Sequence, residues 1–265
     1  MDLAPLLSRP IAHRGLHHPG GPVENSLPAV EAAIDRGLGV EVDVQLSADG
    51  VAVVHHDSTL RRICGIDRRV RDVASESLQS TPLRGTDATV PLARDVIDLV
   101  GGTTPLVLDL KCAPRRTDRR RLAGQIARLT AAYDGPVAVV GFDPLAIAAI
   151  ASAAPWVVRG QSGGVPLSPR IKTWATPATR PLDHLWFAPI SRPHFVSYNV
   201  ERMPHAAVER MRSRMPVVGW TLRCTHRMRE LADAVDQVIV EGPAATTREC
   251  EPRDTEHFAF GCAAA

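Results

Sequence analysis
Short apolar runs alternate with amphipathic stretches along most of the chain. Apolar positions recurring at period two, or filling short continuous runs, predict strands at 10–13, 40–46, 51–56, 105–110, 137–142, 156–159, 195–198, 217–222 and 237–240. Between most of them the period lengthens to that of a helix. In "NSLPAVEAAIDRG" Ser26 stands where a cap belongs, Pro28 suits the first turn, Val30, Ala33 and Ile34 share a face, and Gly37 ends the helix. "PLARDVIDLVGG", "PLAIAAIASAAP", "PHAAVERMRSR" and "HRMRELADAV" carry the same pattern. Repeated strand–helix units imply a parallel sheet covered on both faces. A single-domain α/β fold over residues 1–242, closed into a TIM (β/α)8 barrel, is the expected architecture.

One stretch strains this pattern. "VEVDVQLSADGVAVVHHD", residues 40–57, alternates as a strand, turns near Asp49-Gly50 and runs on as a second strand with no helix between. Nine strand candidates therefore compete for eight barrel positions. An antiparallel turn at Ala48-Asp49-Gly50 would set Glu41 opposite His56; a parallel pairing would bring both to the same rim. The sequence leaves both open. Residues 160–194, rich in Gly and Pro, read as a long connection over the barrel mouth, and residues 243–265 as a polar tail. No internal repeat and no interdomain linker are visible.

Composition narrows the classes. The 265 residues are 45% hydrophobic and 23% charged, enough for a sizeable core, and a net charge of +2 gives no bulk attraction to nucleic acid or to a membrane surface. No apolar window is long enough for a membrane span, so no stable membrane association is expected. The N-terminal "MDLAPLLSRPIAHRG", with an acid at position 2 and a proline-broken apolar run, is not a signal peptide. The terminal "CAAA" has the outline of a prenylation box and is read as an accident of an alanine-rich tail. Five cysteines without a CxxC pair fit a reduced, cytoplasmic compartment rather than a disulfide framework or a structural zinc site.

The chemistry gathers at four strand ends. The first strand ends in His13-Arg14-Gly15, the second carries Glu41 and Asp43, the third ends in His55-His56-Asp57, and "PLVLDLK" carries Asp109 and Lys111. Residues two apart on a strand share a face, and active sites of parallel barrels assemble at the C-terminal strand ends. Two imidazoles, three carboxylates, an Arg and a Lys thus meet at one rim. Neighbouring buried carboxylates repel one another and lose hydration, so a positive charge must compensate. A hard divalent cation on Glu41, Asp43 and Asp109 meets that need, since Mg²⁺ and Ca²⁺ prefer oxygen ligands. With Arg14 and Lys111 for an anion, and His13 and His56 as general base and general acid, the set suits phosphodiester cleavage.

At this point the chain resembles the glycerophosphodiester phosphodiesterases, relatives of phosphatidylinositol-specific phospholipase C. The likeness runs through "IAHRG", "ENS", "GVEVDVQLSADGVAVVHHDSTLRR", "VRDVASESLQSTPL", "PLVLDLK", "VVGFDP", "VVGWTLR" and "VIVEGP", roughly residues 10–243. It implies a TIM barrel with His13 and His56 as the acid/base pair and Arg14 as a phosphate clamp. It also implies Glu41, Asp43 and Asp109 as ligands of one Mg²⁺ or Ca²⁺, and Lys111 as a second phosphate contact. Trp220 is placed against the substrate, and Asn25 among the substrate-side residues as a support. The implied reaction releases sn-glycerol 3-phosphate and an alcohol from a small glycerophosphodiester, through attack of the glycerol 2-hydroxyl on phosphorus.

Two departures stand out: Asp109 where the family usually has glutamate, and Glu241 where many members have aspartate before the proline. No long insertion follows the third strand, so the pocket is expected to be open. A lysophospholipase D-type activity, with Trp174, Trp186 and Phe187 forming an apolar channel, is one rival; a non-catalytic phosphodiester-binding barrel is another. Other residues read as structural: His55 as packing, His17 and His18 as loop surface, and Asp57 as orienting a neighbour or capping a turn. Glu24 reads as starting the first helix, Trp156 as packing, and the run Arg115, Arg116, Arg119, Arg120 and Arg121 as a solvated helix start.

Overall fold
A computed structural model describes residues 1–111, 115–165, 181–242 and 245. Nine strands form one sheet: β1 (Ile11–Ala12), β2 (Gly39–Leu46), β3 (Ala52–Val54), β4 (Leu106–Leu110), β5 (Val137–Gly141), β6 (Val158–Gly163), β7 (Phe195–Asn199), β8 (Val217–Leu222) and β9 (Gln237–Val240). Their order is β1-β9-β8-β7-β6-β5-β4-β2-β3, and β1 pairs with β2 as well. Eight parallel strands therefore close into the expected barrel, and β3 is the ninth, joined to the outside edge of β2 as an antiparallel hairpin.

The hairpin register differs from the one read in the sequence. Ser47 N–H donates to Val51 O at 3.0 Å across a three-residue loop, with Gly50 at φ 80°. That loop pairs Val44 with Val54, and one step on His55 N–H donates to Asp43 O at 3.0 Å. A two- or four-residue loop would have been needed to set Glu41 against His56. β6 also starts later than the expected 156–159, because Trp156 is 52% exposed and the run that pairs with β7 is the polar, glycine-bearing "GQSG".

The valines of β2 explain its alternation. Val40, Val42 and Val44 point outward into a layer with Val30, Ala33, Leu106, Leu108 and Ile147, which the surrounding helices cover. Glu41 and Asp43 consequently point into the barrel. Below them the lumen is filled by Ile11, Val107, Ala138, Val140, Phe195, Val218 and Ile239, with Leu6 closing the lower end. Helix Leu27–Asp35 begins at Ser26, whose hydroxyl accepts from Ala29 N at 3.2 Å, and Gly37 follows it at φ 68°. Val53 of β3 and, from the residues after it, Leu60, Val70, Val73, Leu78, Leu83, Val90 and Leu92 form a small satellite core, which braces the hairpin.

No helix among the described residues is long and apolar enough to cross a membrane. Cys224 takes part in a disulfide, which corrects the expectation of uniformly reduced cysteines. Residues 166–180 of the expected connection, Trp174 with them, and all of the expected tail except residue 245 lie outside the described residues.

Candidate active site
The main chain sets the rim. Directly after β1, His13 N–H donates to Val240 O at 2.9 Å. Arg14 and Asn25 then take left-handed backbone conformations, at φ 57° and 59°. For an arginine this costs roughly 1–2 kcal/mol. The turn is held from two sides: Arg14 N–H donates to Glu41 Oε2 at 2.8 Å, and Asn25 N–H to Arg14 O at 2.9 Å. Gly15 must be glycine here, since a Cβ would lie 2.6 Å from the main-chain carbon of Ala29.

Three carboxylates converge inside this frame. β2 and β4 pair in a register that sets Asp43 beside Asp109, and carboxylate oxygens of Glu41, Asp43 and Asp109 lie within 4.8 Å of one another. Lys111 Nζ lies 2.6 Å from Asp43 Oδ1 and donates to Asp109 Oδ2 at 2.7 Å. Arg14 Nε lies 3.2 Å from Asp43 Oδ2, while its Nη1 donates to Glu24 Oε1 at 2.7 Å. Asn25 donates to Asp43 Oδ2 at 2.7 Å and accepts from Asp43 N at 3.0 Å. Both polar atoms of Asn25 are therefore spent on positioning Asp43.

The balance of charge is uneven. Burial works against ionised Asp43, but Lys111 and Arg14 hold its carboxyl well below the usual range. Burial, then Asp43 and Asp109, push Glu41 well above it. Among the described residues Glu41 has no ion pair, and its oxygen meets the main-chain N–H of Arg14 instead. Asp109 Oδ1 is buried with no hydrogen bond among the described residues. Such stranded oxygen atoms, facing one another in a hard-donor set, fit a divalent cation that prefers carboxylates. The donors suit Mg²⁺ or Ca²⁺ rather than a thiolate-seeking metal.

Each catalytic imidazole candidate rests on a carboxylate. His13 Nδ1 lies 2.8 Å from Glu241 Oε2, and His56 Nδ1 lies 2.7 Å from Asp57 Oδ1. Burial, then Arg14, push His13 down to about 4 despite the raising effect of Glu241. At neutral pH His13 is thus uncharged, its Nδ1 proton is donated to Glu241, and Nε2 is left with its lone pair. Burial opposes the ionised form of Glu241, yet His13 and then Arg223 hold it well below the carboxylate norm. Arg223 Nη2 donates to the same Oε2 at 3.0 Å.

Glu241 is the residue that sequence reasoning did not place. Its signal lies in the topology: it follows β9 immediately, and β9 pairs with β1, which carries His13 at its end. His17, expected at the surface, is instead half-buried beside His13 and Glu241, with ligand atoms of the three within 4.8 Å. Glu24, expected only to start a helix, bonds both Arg14 and Arg62. His55 is buried, with Nε2 3.2 Å from Thr59 O. Trp220 packs edge-on against Phe142 with ring centroids 5.6 Å apart, and its buried Nε1 has no partner among the described residues. Trp156, expected in packing, is mostly solvent-facing, and Trp186 is 61% exposed and stacked on His184. In the arginine run Arg119 donates to Asp143 at 2.6 Å, while its neighbours Arg120 and Arg121 face solvent.

The glycerophosphoryl diester phosphodiesterase family matches the chain over residues 13–244. The chain belongs to this family. Curated relatives include a glycerophosphodiester phosphodiesterase of Bacillus altitudinis, 30% identical over 112 residues, covering 40% of this chain and 45% of that protein. The Lysophospholipase D GDPD1 of Rattus norvegicus is 30% identical over 118 residues, covering 40% of this chain and 37% of that protein. The chain thus matches less than half the length of these relatives. Among solved structures, a phosphodiesterase of Oleispira antarctica in complex with the product sn-glycerol-3-phosphate aligns with TM-score 0.71 at 20% identity, over 87% of this chain and 91% of that one. A family structure from Silicibacter pomeroyi aligns with TM-score 0.72 at 20% identity, over 90% and 91%. These likenesses show the shared barrel.

Proposed function
We propose that the protein hydrolyses small glycerophosphodiesters, such as glycerophosphocholine or glycerophosphoethanolamine, to sn-glycerol 3-phosphate and an alcohol. The observation that carries this reading is the pair of imidazoles, each with Nδ1 fixed by a carboxylate, on the rim that also holds the buried acidic trio and Arg14. Family membership and the product named in the Oleispira antarctica complex support it.

Glu41, Asp43 and Asp109 would hold one Mg²⁺ or Ca²⁺. When bound, the ion neutralises charge on the phosphoryl oxygens. Arg14 has Nη1 committed to Glu24 and Nε beside Asp43, so its Nη2 is the donor left for a phosphoryl oxygen. Neutral His13 accepts the proton of the glycerol 2-hydroxyl at Nε2, and that oxygen attacks phosphorus. His56, oriented by Asp57, gives a proton to the departing alcohol oxygen. Water then opens the cyclic phosphate with the two imidazoles exchanging roles, and sn-glycerol 3-phosphate is released. Trp220, edge-on to Phe142, would offer an apolar face to the substrate.

The test is turnover of glycerophosphocholine, glycerophosphoethanolamine and lysophosphatidylcholine with each divalent ion. Release of sn-glycerol 3-phosphate from the deacylated substrates is expected. Strong preference for the single-chain lipid would replace this reading with a lysophospholipase D-type activity. Failure on every diester, with the diester still bound, would leave a non-catalytic binder.

A further inference from the structure
We infer that Arg62 is a positioning residue that locks the phosphate-clamping Arg14 and the proton-transferring His56 into one geometry; this rests on the function proposed above. Arg62 lies on the short helix Arg61–Cys64, off the barrel and outside the set of groups assigned to substrate or cation. Its guanidinium presents two usable edges, and both are occupied. Through one edge, Nη1 and Nη2 donate to Glu24 Oε2 and Oε1, each at 2.8 Å. Through the other, Nε and Nη2 donate to Asp57 Oδ2 and Oδ1 at 2.7 and 3.2 Å.

Each of those carboxylates reaches further inward. Glu24 Oε1 also accepts from Arg14 Nη1 at 2.7 Å, and Asp57 Oδ1 takes His56 Nδ1 at 2.7 Å. An unbroken chain of charge-assisted bonds therefore runs Arg14–Glu24–Arg62–Asp57–His56. Arg14 hangs from the loop after β1, and His56 from the segment just past the hairpin strand β3, which lies outside the closed ring. Arg62 is the member that joins the two halves of this chain by side-chain contacts. A planar, forked guanidinium can hold two carboxylates bidentately at once; an ammonium cannot. Both carboxylates are nearly enclosed, at 13% and 11% side-chain exposure, so each holds its partner in a fixed place.

The experiment compares Arg62→Ala and Arg62→Lys with the parent protein, with Arg61→Ala as control. Arg61 is an exposed neighbour paired with Asp67. Steady-state kcat and KM on glycerophosphocholine are measured at saturating divalent ion, alongside direct titration with sn-glycerol 3-phosphate and a thermal melt. Both Arg62 variants should melt below the parent temperature, because Glu24 and Asp57 each lose a cationic partner, yet stay folded at the assay temperature; they should lose on the order of 10–100-fold in kcat and bind sn-glycerol 3-phosphate more weakly, since the His56 and Arg14 ends loosen together. Arg62→Lys should not rescue either readout.

A double-mutant cycle of Glu24→Gln and Asp57→Asn should be non-additive when Arg62 is present and additive in the Arg62→Ala background. Additivity in both backgrounds, or kcat and product affinity within about twofold of the parent in both Arg62 variants, overturns the assignment while the activity stands. If the parent itself turns over no glycerophosphodiester, the functional reading fails instead. The titration still decides the role of Arg62, because unchanged sn-glycerol 3-phosphate affinity in both variants counts against it.

Discussion

Replacing Glu241 with glutamine tests the electrostatic logic of the proposed acid/base pair most directly. In the parent, Glu241 Oε2 lies 2.8 Å from His13 Nδ1 and also accepts from Arg223 at 3.0 Å. An amide oxygen at that position can keep both bonds, so Glu241→Gln removes charge while retaining orientation. Two unit charges with centres ~4 Å apart interact by about 4 kcal/mol at an effective dielectric of 20, which Arg223 and Arg14 partly offset. The stabilisation of the imidazolium formed as His13 takes a proton should then fall by about 1.5–3 kcal/mol, the range of a charged hydrogen bond. That corresponds to a loss of roughly 10–150-fold in kcat/KM at pH 7.

The pH profile supplies a second readout with a defined sign. With its value lowered to about 4, His13 stays mostly neutral at pH 5.5, where an ordinary imidazole is mostly protonated. The acid limb of kcat/KM should therefore lie far below that of a free histidine. Glu241 raises the His13 value, so its neutral replacement moves the limb further toward acid. The assay is glycerophosphocholine turnover from pH 4 to 8 at saturating divalent ion, with near-ultraviolet dichroism to confirm the fold. Parent-like kcat/KM in Glu241→Gln, or a limb that moves toward neutral pH, refutes the reasoning.

Other outcomes follow from the same geometry. His13→Ala and His56→Ala should each reduce product release by more than about a hundredfold while leaving the melting temperature within a few degrees, as expected for removal of a general acid or base; retained turnover in either removes that residue from the chemistry. Chelation with EDTA should abolish activity and Mg²⁺ or Ca²⁺ restore it, and Asp109→Glu should change the divalent-ion affinity measured by titration calorimetry by about tenfold or more; indifference to chelator and to substitution contradicts the acidic trio as ligands. Burial opposes ionised Glu24, but Arg62 and Arg14 lower it to about 2 in the folded protein. Its contribution is therefore fully present above the unfolded carboxylate range and lost as pH falls toward 2; a urea midpoint that does not decline between pH 5 and pH 2.5 contradicts that.

The barrel was legible because most of its strands are nearly continuous apolar runs and its helices carry clear start and stop signals, such as Ser26 and Gly37. The convergence of His13, Arg14, Glu41, Asp43, Asp109 and Lys111 could be read as well, since each sits at or just past a strand end and parallel registry aligns those ends. Three things could not be read. The hairpin register hinged on a loop of three residues, where a difference of one shifts every pairing. The strand at 158–163 is mostly glycine and polar residues, so it carries no apolar period. Glu241 and Glu24 took their roles from partners 228 and 38 residues away, at His13 and Arg62, which no local pattern announces.

The side-on attachment of β3 means that the imidazoles of His13 and His56 ride on different pieces of architecture. One follows a stave of the closed cylinder; the other follows an outrigger held by β2 on one flank and by the main chain of Pro91 and Leu92 on the other. A change confined to the outrigger would move one ring and leave the cylinder standing.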